Sequence, residues 1–167
     1  MRVPAIMRWP ARIPAALTVD ALTTSMDILP TLSAITDQPL PKHPIDGKNI
    51  LPLMTGDTNA TSPYEAFYYY RDRRLQAVRS GDWKLHVFRP EWKEGEKTPL
   101  LYNLATDIGE HDDQAADHPE VVARLEGLAE KARLELGDAV TGVQGAGVRP
   151  YGLFGAERIG DSGHRMQ

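Results

Sequence analysis

Tyr68 to Leu104 reads YYYRDRRLQAVRSGDWKLHVFRPEWKEGEKTPLLYNL, and this stretch decides the fold. Leu75 to Arg79 alternates, Ser80-Gly81-Asp82 is a turn signal, and Trp83 to Phe88 resumes the alternation. Trp83, Leu85 and Val87 therefore share one face of a strand, and Lys84, His86 and Phe88 share the other. Two alternating runs joined by a short Gly-bearing link predict a β-hairpin. Pro99 to Leu104 supplies a further strand. A meander with one apolar face needs a cover.

The cover lies downstream. Val121, Leu125, Leu128, Ala132 and Leu136 recur at helical spacing and make one apolar stripe on a helix of about 18 residues. Glu126, Glu130, Lys131 and Arg133 face away. Asp117 is placed to cap this helix, with Glu120 as the carboxylate of a capping box. The fold class read here is α+β: an antiparallel meander of about four strands covered by one long C-terminal helix.

Upstream, Val3 to Trp9 reads as a short buried strand closed by Pro10. Met26, Leu29, Leu32 and Ile35 predict a helix over Asp27 to Thr36 with one apolar face, capped by Thr24 or Ser25, with Pro30 in its first turn. Residues 39 to 63, rich in Pro, Gly, Asp and Thr, read as loop. They include the sequon Asn59-Ala60-Thr61, a pattern that chance often produces. Eight of the fourteen glycines lie from Gly137 onward, which reads as a poorly ordered tail with Val148 to Phe154 as an extended piece. The domain boundaries read this way are 1–63, 64–136 and 137–167.

Composition narrows the function classes. Apolar residues make up 41% and charged residues 25% of the 167, which is globular. The net charge is −4, with no basic stripe, which argues against nucleic acid as a partner. Cysteine is absent, which removes disulfides, thiolate zinc sites and a cysteine nucleophile. No run reaches the length of a membrane span, and no charged-then-apolar signal peptide opens the sequence, so the compartment is unassigned.

Gly47-Lys48-Asn49 fails as a phosphate loop, Gly145-Ala146-Gly147 lacks the third glycine of a dinucleotide fingerprint, and no Gly-x-Ser-x-Gly elbow exists. His111 and His118 flank Asp112 and Asp113, a pattern read as a solvated acidic turn ahead of a helix rather than a metal site. His86 with Lys84 offers donors to an anionic group; a half-exposed strand residue beside a solvated lysine is the plainer reading and the favoured one. Arg71, Arg73, Arg74 and Arg79 form a basic cluster whose forks suit sulfate, phosphate or carboxylate, although ordinary surface pairing explains most of it. Tyr68, Tyr69 and Tyr70 read as core aromatics. Trp92 sits in the Arg89–Lys97 loop as a possible ligand contact. No self-contained catalytic set emerges from these residues.

The order of the segments carries a resemblance. Arg2-Val3-Pro4-Ala5-Ile6-Met7-Arg8-Trp9-Pro10, Asp27-Ile28-Leu29-Pro30-Thr31-Leu32, Asp46-Gly47-Lys48-Asn49, Ala77 to Leu85, Leu101-Tyr102-Asn103-Leu104 and Gly109-Glu110 follow one another at compatible spacing. Together with Pro119-Glu120-Val121-Val122 they resemble, over residues 2 to 136, the C-terminal portion of sulfatases of the arylsulfatase type, in the arylsulfatase A-like branch of the alkaline phosphatase-like superfamily. Ala11 stands where that family usually has Gly, and Ile108 where it usually has Pro.

The resemblance implies a strand and helix left over from a large α/β domain, followed by a small antiparallel domain. It implies sulfuric ester hydrolysis, calcium and a formylglycine nucleophile for the full-length enzyme only. The Cys/Ser-x-Pro-x-Arg signature that makes the nucleophile is missing here, as are the metal ligands, so no catalytic or metal residue is assigned. Lys84, His86, Arg71 and Trp92 are the expected substrate-rim residues. The further expectations are that the lone chain is inactive and that it self-associates through the N-terminal strand and helix. The alternatives are a binding module for sulfated sugars and a ligand-free structural remnant.

Overall fold

Two tight links build the sheet. Asp72 and Arg73 both adopt positive φ, 50° and 60°, and join β1 (Phe67–Arg71) to β2 (Arg74–Ser80) with the twist a two-residue hairpin favours. Gly81, at φ 59°, opens the second link, and Ser80 pairs directly with Trp83 at the start of β3 (Trp83–His86). Gly81 is a natural occupant there because a side chain makes positive φ costly. β4 (Leu100–Asn103) then runs antiparallel to β3, with Leu85 opposite Leu101 and Lys84 opposite Tyr102. The sheet order is β1-β2-β3-β4, a plain meander.

This is a computed structural model, and it describes residues 3–89 and 99–149 together with the backbone of two short paired strands, β5 (Leu153–Phe154) and β6 (Glu157–Arg158). The chain divides into two units, Met1–Phe67 and Tyr68–Gln167.

In the second unit the long helix α3 (Pro119–Leu136) covers the sheet as the stripe predicts. Leu85, Leu101 and Leu125 have no exposed surface, and Trp83, Val87, Ala115, Val121 and Val122 pack around them. The predicted cap is different. Pro119 occupies the first turn, where its missing N–H costs nothing, so His118 rather than Asp117 precedes the helix, and no side chain caps it. The His118 carbonyl accepts from Val121 and Val122, both at 3.1 Å, and its ring lies 4.8 Å from that of Trp83.

The far end of α3 is also better tied than the sequence suggests. Arg133 does not face away. Its Nε donates to fully buried Asp138 at 3.0 Å, and Asp138 also accepts the backbone N–H groups of Leu75 and Val140. Ala139 N–H reaches the Arg73 carbonyl at 2.8 Å. The Tyr70 hydroxyl donates to the Gly137 carbonyl at 2.9 Å, and burial, reinforced by Asp138, pushes its pKa up to about 12. Residues 137–147 are therefore not a loose tail: Asp138 bridges Val143, and Ala146 and Gly147 donate to the carbonyls of Leu134 and Glu135.

In the first unit, a 3-10 turn (Ser25–Asp27) leads into α1 (Ile28–Thr36), and Thr24 forms a capping box with Asp27. Asp27 is fully buried. It accepts from Thr24 N–H at 2.7 Å, from Lys48 N–H at 2.8 Å and from the Tyr64 hydroxyl. Thr31 Oγ1 accepts from Ile50 N–H at 3.0 Å. A Cβ on Gly47 would lie 1.9 Å from the Met26 carbonyl oxygen, so this close approach requires glycine. The stretch read as continuous loop holds one short helix, α2 (Leu51–Met54), whose Leu53 is buried along with Ile50 just before it.

One expectation fails here. Residues 3–9 form no strand, and Val3 and Ile6 are 79% and 96% exposed, because no described segment offers them a ladder of hydrogen bonds. The apolar face of α1 is present but uncovered: Pro30 and Thr31 are its buried residues, while Ile28, Leu29 and Leu32 are each at least half exposed.

Truncating Leu125 to Ala should lower the unfolding free energy of the sheet-and-helix unit by about 2–5 kcal/mol, since the two facing leucines cannot close the gap. Denaturant titration followed by circular dichroism measures this, and an unchanged midpoint would contradict the core described.

Candidate functional site

The side of the sheet away from α3 carries charge. Alternation along β3 sends Leu85 into the core and Lys84 and His86 to the opposite face. Lys84 is only 7% exposed, far from the solvated lysine expected of a strand on an open face. A buried ammonium needs a counter-charge, and Glu110 supplies it. Lys84 Nζ donates to Glu110 Oε1 at 2.5 Å, and His86 Nε2 lies 2.6 Å from Glu110 Oε2. Since a carboxylate only accepts, His86 donates through Nε2.

Aromatic rings complete the cluster. Lys84 Nζ lies 4.9 Å from the centre of the Tyr69 ring, a cation–π arrangement. His86 meets Tyr102 edge-on at 5.7 Å, and the Arg89 guanidinium lies 5.9 Å from the same Tyr102 ring. Glu110 itself has φ 58°, uncommon for a residue with a side chain, so the turn is bent to bring this carboxylate over the sheet.

The electrostatics follow from burial. Burial pushes the His86 imidazole below the usual histidine range, and this outweighs the upward pull of its bond to Glu110. Burial alone would raise Glu110, but the bonds from Lys84 and His86 together hold its carboxyl below the usual glutamate range. At neutral pH the cluster is an ammonium–carboxylate pair with a neutral imidazole donating to it.

The other expected site residues lie elsewhere. Arg71 is exposed at the end of β1, 3.8 Å from Asp72. The arginines do not converge on one ligand: Arg74 stacks 6.0 Å from the Phe88 ring, and Arg79 Nε donates to the Gly81 carbonyl at 3.0 Å. Trp92 and most of its loop lie outside the described residues.

The acidic turn does not fit a calcium site. Asp107 Oδ2 accepts from the N–H groups of His111 and Asp112, and these bonds hold its carboxyl below the usual range. Asp113 Oδ1 accepts from Leu101 and Ala115. Among the described residues no three His, Cys, Asp or Glu side chains gather as metal ligands.

Glu110 is the residue that spacing alone does not reveal. It lies 26 and 24 residues from its partners, and its only sequence signal is the Gly109-Glu110 pair within the family-like segment.

Comparison with known proteins adds the following. A family model described as the C-terminal region of aryl-sulfatase matches residues 62–146, about half of the chain. Human arylsulfatase A is 32% identical over 166 aligned residues, which cover 84% of this chain and 32% of the relative. The chain thus spans about a third of the length of that relative. A solved Bacteroides thetaiotaomicron structure, described in connection with the metabolism of multiple glycosaminoglycans, is 30% identical with a TM-score of 0.51, covering 65% of this chain and 24% of that one. A second solved structure, of a protein in complex with its substrate D-glucosamine-2-N,6-O-disulfate, has a TM-score of 0.58 over 75% of this chain and 27% of its own, at 22% identity, and is similar in fold.

Replacing Glu110 with Gln should lower stability by about 1.5–3 kcal/mol, because a nearly buried ammonium then lacks its counter-charge. Thermal or denaturant unfolding measures the loss, and a variant as stable as the parent would contradict the pairing.

Proposed function

Because this chain belongs to the aryl-sulfatase family and carries that family's C-terminal region, we propose that it is the scaffold and pocket-rim portion of a sulfuric ester hydrolase and does not hydrolyse sulfate esters by itself. The observation that carries this reading is the two-sided character of α1. One side is knotted to residues 46–50 through Asp27 and Thr31, and the other turns Ile28, Leu29 and Leu32 outward. Fully burying one such side chain is worth about 1.5–3 kcal/mol, so a pre-shaped helix with three of them half exposed is suited to pack on something more.

The chemistry agrees with this division. Attack on a sulfate ester by this route requires an activated nucleophile and a cation against the ester oxygens. These 167 residues contain no cysteine and no Ser-x-Pro-x-Arg run from which that nucleophile is made. In the enzyme context Arg71, Lys84 and His86 border the substrate, with Trp92 assigned to the same rim. Lys84 and His86 act there through a fixed Glu110 rather than as open anion hooks.

Two measurements test the reading. The purified chain should release no aryl alcohol from an aryl sulfate above buffer; turnover that persists through repurification would overturn it. The chain should also self-associate through the uncovered face of α1. Light scattering should show a mass that rises with concentration in the parent and falls to that of one chain in a Leu29→Glu, Leu32→Glu variant. A parent that stays monomeric at every concentration would contradict the proposed role of that face.

A further inference from the structure

A strap joins α1 to the close approach at Gly47, and it is fastened only at its ends. Asp37, at φ 51°, ends α1, and the first anchor follows: Gln38 N–H donates to the Ser33 carbonyl at 3.1 Å, and the Ser33 hydroxyl donates to the Gln38 carbonyl. The second anchor is Gly47 against Met26, with Lys48 N–H on Asp27 and Ile50 N–H on Thr31. Every residue from Thr36 to Pro44 is exposed. Among the described residues, Leu40 to His43 make no hydrogen bond or ion pair. Pro39, Pro41 and Pro44 bias this strap toward extended backbone.

We propose that residues 37–44 are a processing site: an endoprotease specific for lysine cuts the Lys42–His43 bond of the folded chain, and the two pieces stay joined through Asp27 and Thr31. Nothing in the geometry of this strap depends on the sulfatase reading.

A protease takes its substrate as an extended segment, so a native chain is cut where a stretch can leave the fold without breaking its contacts. Lys42 meets that condition. Lys48 does not, because its own N–H is bound to Asp27 and the residue before it is wedged against Met26. Lys84 lies in β3 and Lys131 in α3, so a cut at either requires the sheet or the helix to open. Lys93 and Lys97 lie outside the described residues. Proline does not follow Lys42 directly, so the bond is an ordinary secondary amide. Water adds across it: the Lys42 carbonyl becomes a carboxylate, and the His43 nitrogen leaves as an amine that takes up the proton. Both new charges form in solvent.

The pieces remain bound because the contacts that hold α1 lie outside the strap. Asp27 accepts from Lys48 N–H at 2.8 Å and from the Tyr64 hydroxyl, and Thr31 accepts from Ile50 N–H at 3.0 Å. Ser62 Oγ donates to the Leu22 carbonyl at 2.7 Å. Each bond joins the piece before the cut to the piece after it.

Limited digestion of the folded full chain with a lysine-specific endoprotease, read by intact mass, tests the cut. The expected early product is the piece 1–42, released from the covalent chain at least about tenfold faster than any cut at Lys48, Lys84 or Lys131. Lys42→Arg, which this protease does not recognise, should abolish that piece and leave the circular dichroism spectrum unchanged. After the cut, 1–42 should co-elute with the remainder in size-exclusion chromatography without denaturant. Asp27→Asn should release it from the nicked chain, and Thr31→Val, the milder change, should speed its loss. Cleavage at Lys48, Lys84 or Lys131 ahead of Lys42, or a Lys42–His43 bond that survives until the chain unfolds, would overturn the site. Elution of 1–42 by itself from the nicked parent, or retention equal to the parent in both variants, would overturn the bridging by Asp27 and Thr31.

Discussion

Four residues, Trp83 to His86, impose the constraint on which the second unit depends. Period-two geometry forces the strand to present Leu85 to the helix and Lys84 and His86 to the other side. The apolar demand is met by Leu101 and Leu125. The charged demand is met by Glu110, whose two oxygens each take one partner. Without that carboxylate the sheet would bury a cation on one face while burying leucine on the other. Tyr69 and Tyr102 extend the polar side with ring faces rather than bare surface, so the ammonium is enclosed as well as paired.

The same device recurs where a single layer of apolar contacts is thin. Asp27 gathers two backbone N–H groups and the Tyr64 hydroxyl and so fixes α1 against residues 46–50. Asp138 gathers Arg133, Leu75 and Val140 and so fixes the end of α3 to the start of β2. Asp113 takes the Leu101 N–H at the outer edge of β4, which occupies a donor on that edge. Each carboxylate joins segments distant in sequence, and each is satisfied several times over, the condition under which a buried polar group specifies a structure. This gives a physical reason for the family-like segments: Asp27 and Thr31 in one meet Lys48 and Ile50 in or beside another, and Lys84 in one meets Glu110 in a third.

Local signals were legible in the sequence, and long-range partners were not. The Gly81 turn, the division of β3 into two faces and the stripe of α3 all depend on residues a few positions apart, and all three are present. The cap at Asp117 failed because Pro119 starts the helix from His118. Val3 to Trp9 has the composition of a strand, but composition supplies no neighbour to pair with. The apolar spacing of α1 was read correctly, although spacing cannot say whether the face is covered. Lys84 was misread as solvated because nothing near it in sequence announces a counter-charge. The ordering of residues 137–147 was hidden for a similar reason, since glycines that permit close backbone packing look like glycines in a loose tail.

Within this C-terminal region of the aryl-sulfatase family, β3 has one face committed to the chain's own helix and one that carries Lys84 and His86 to Glu110. The pairing of Lys84 with Glu110 is the contact that both halves of this account require. A double-mutant cycle with Lys84→Met and Glu110→Gln, read as unfolding free energy, tests it most directly. The account predicts a coupling of about 1–3 kcal/mol, with the double variant more stable than the sum of the single losses implies. Additive losses, within about 0.3 kcal/mol, would mean that the two side chains do not depend on each other and would contradict it.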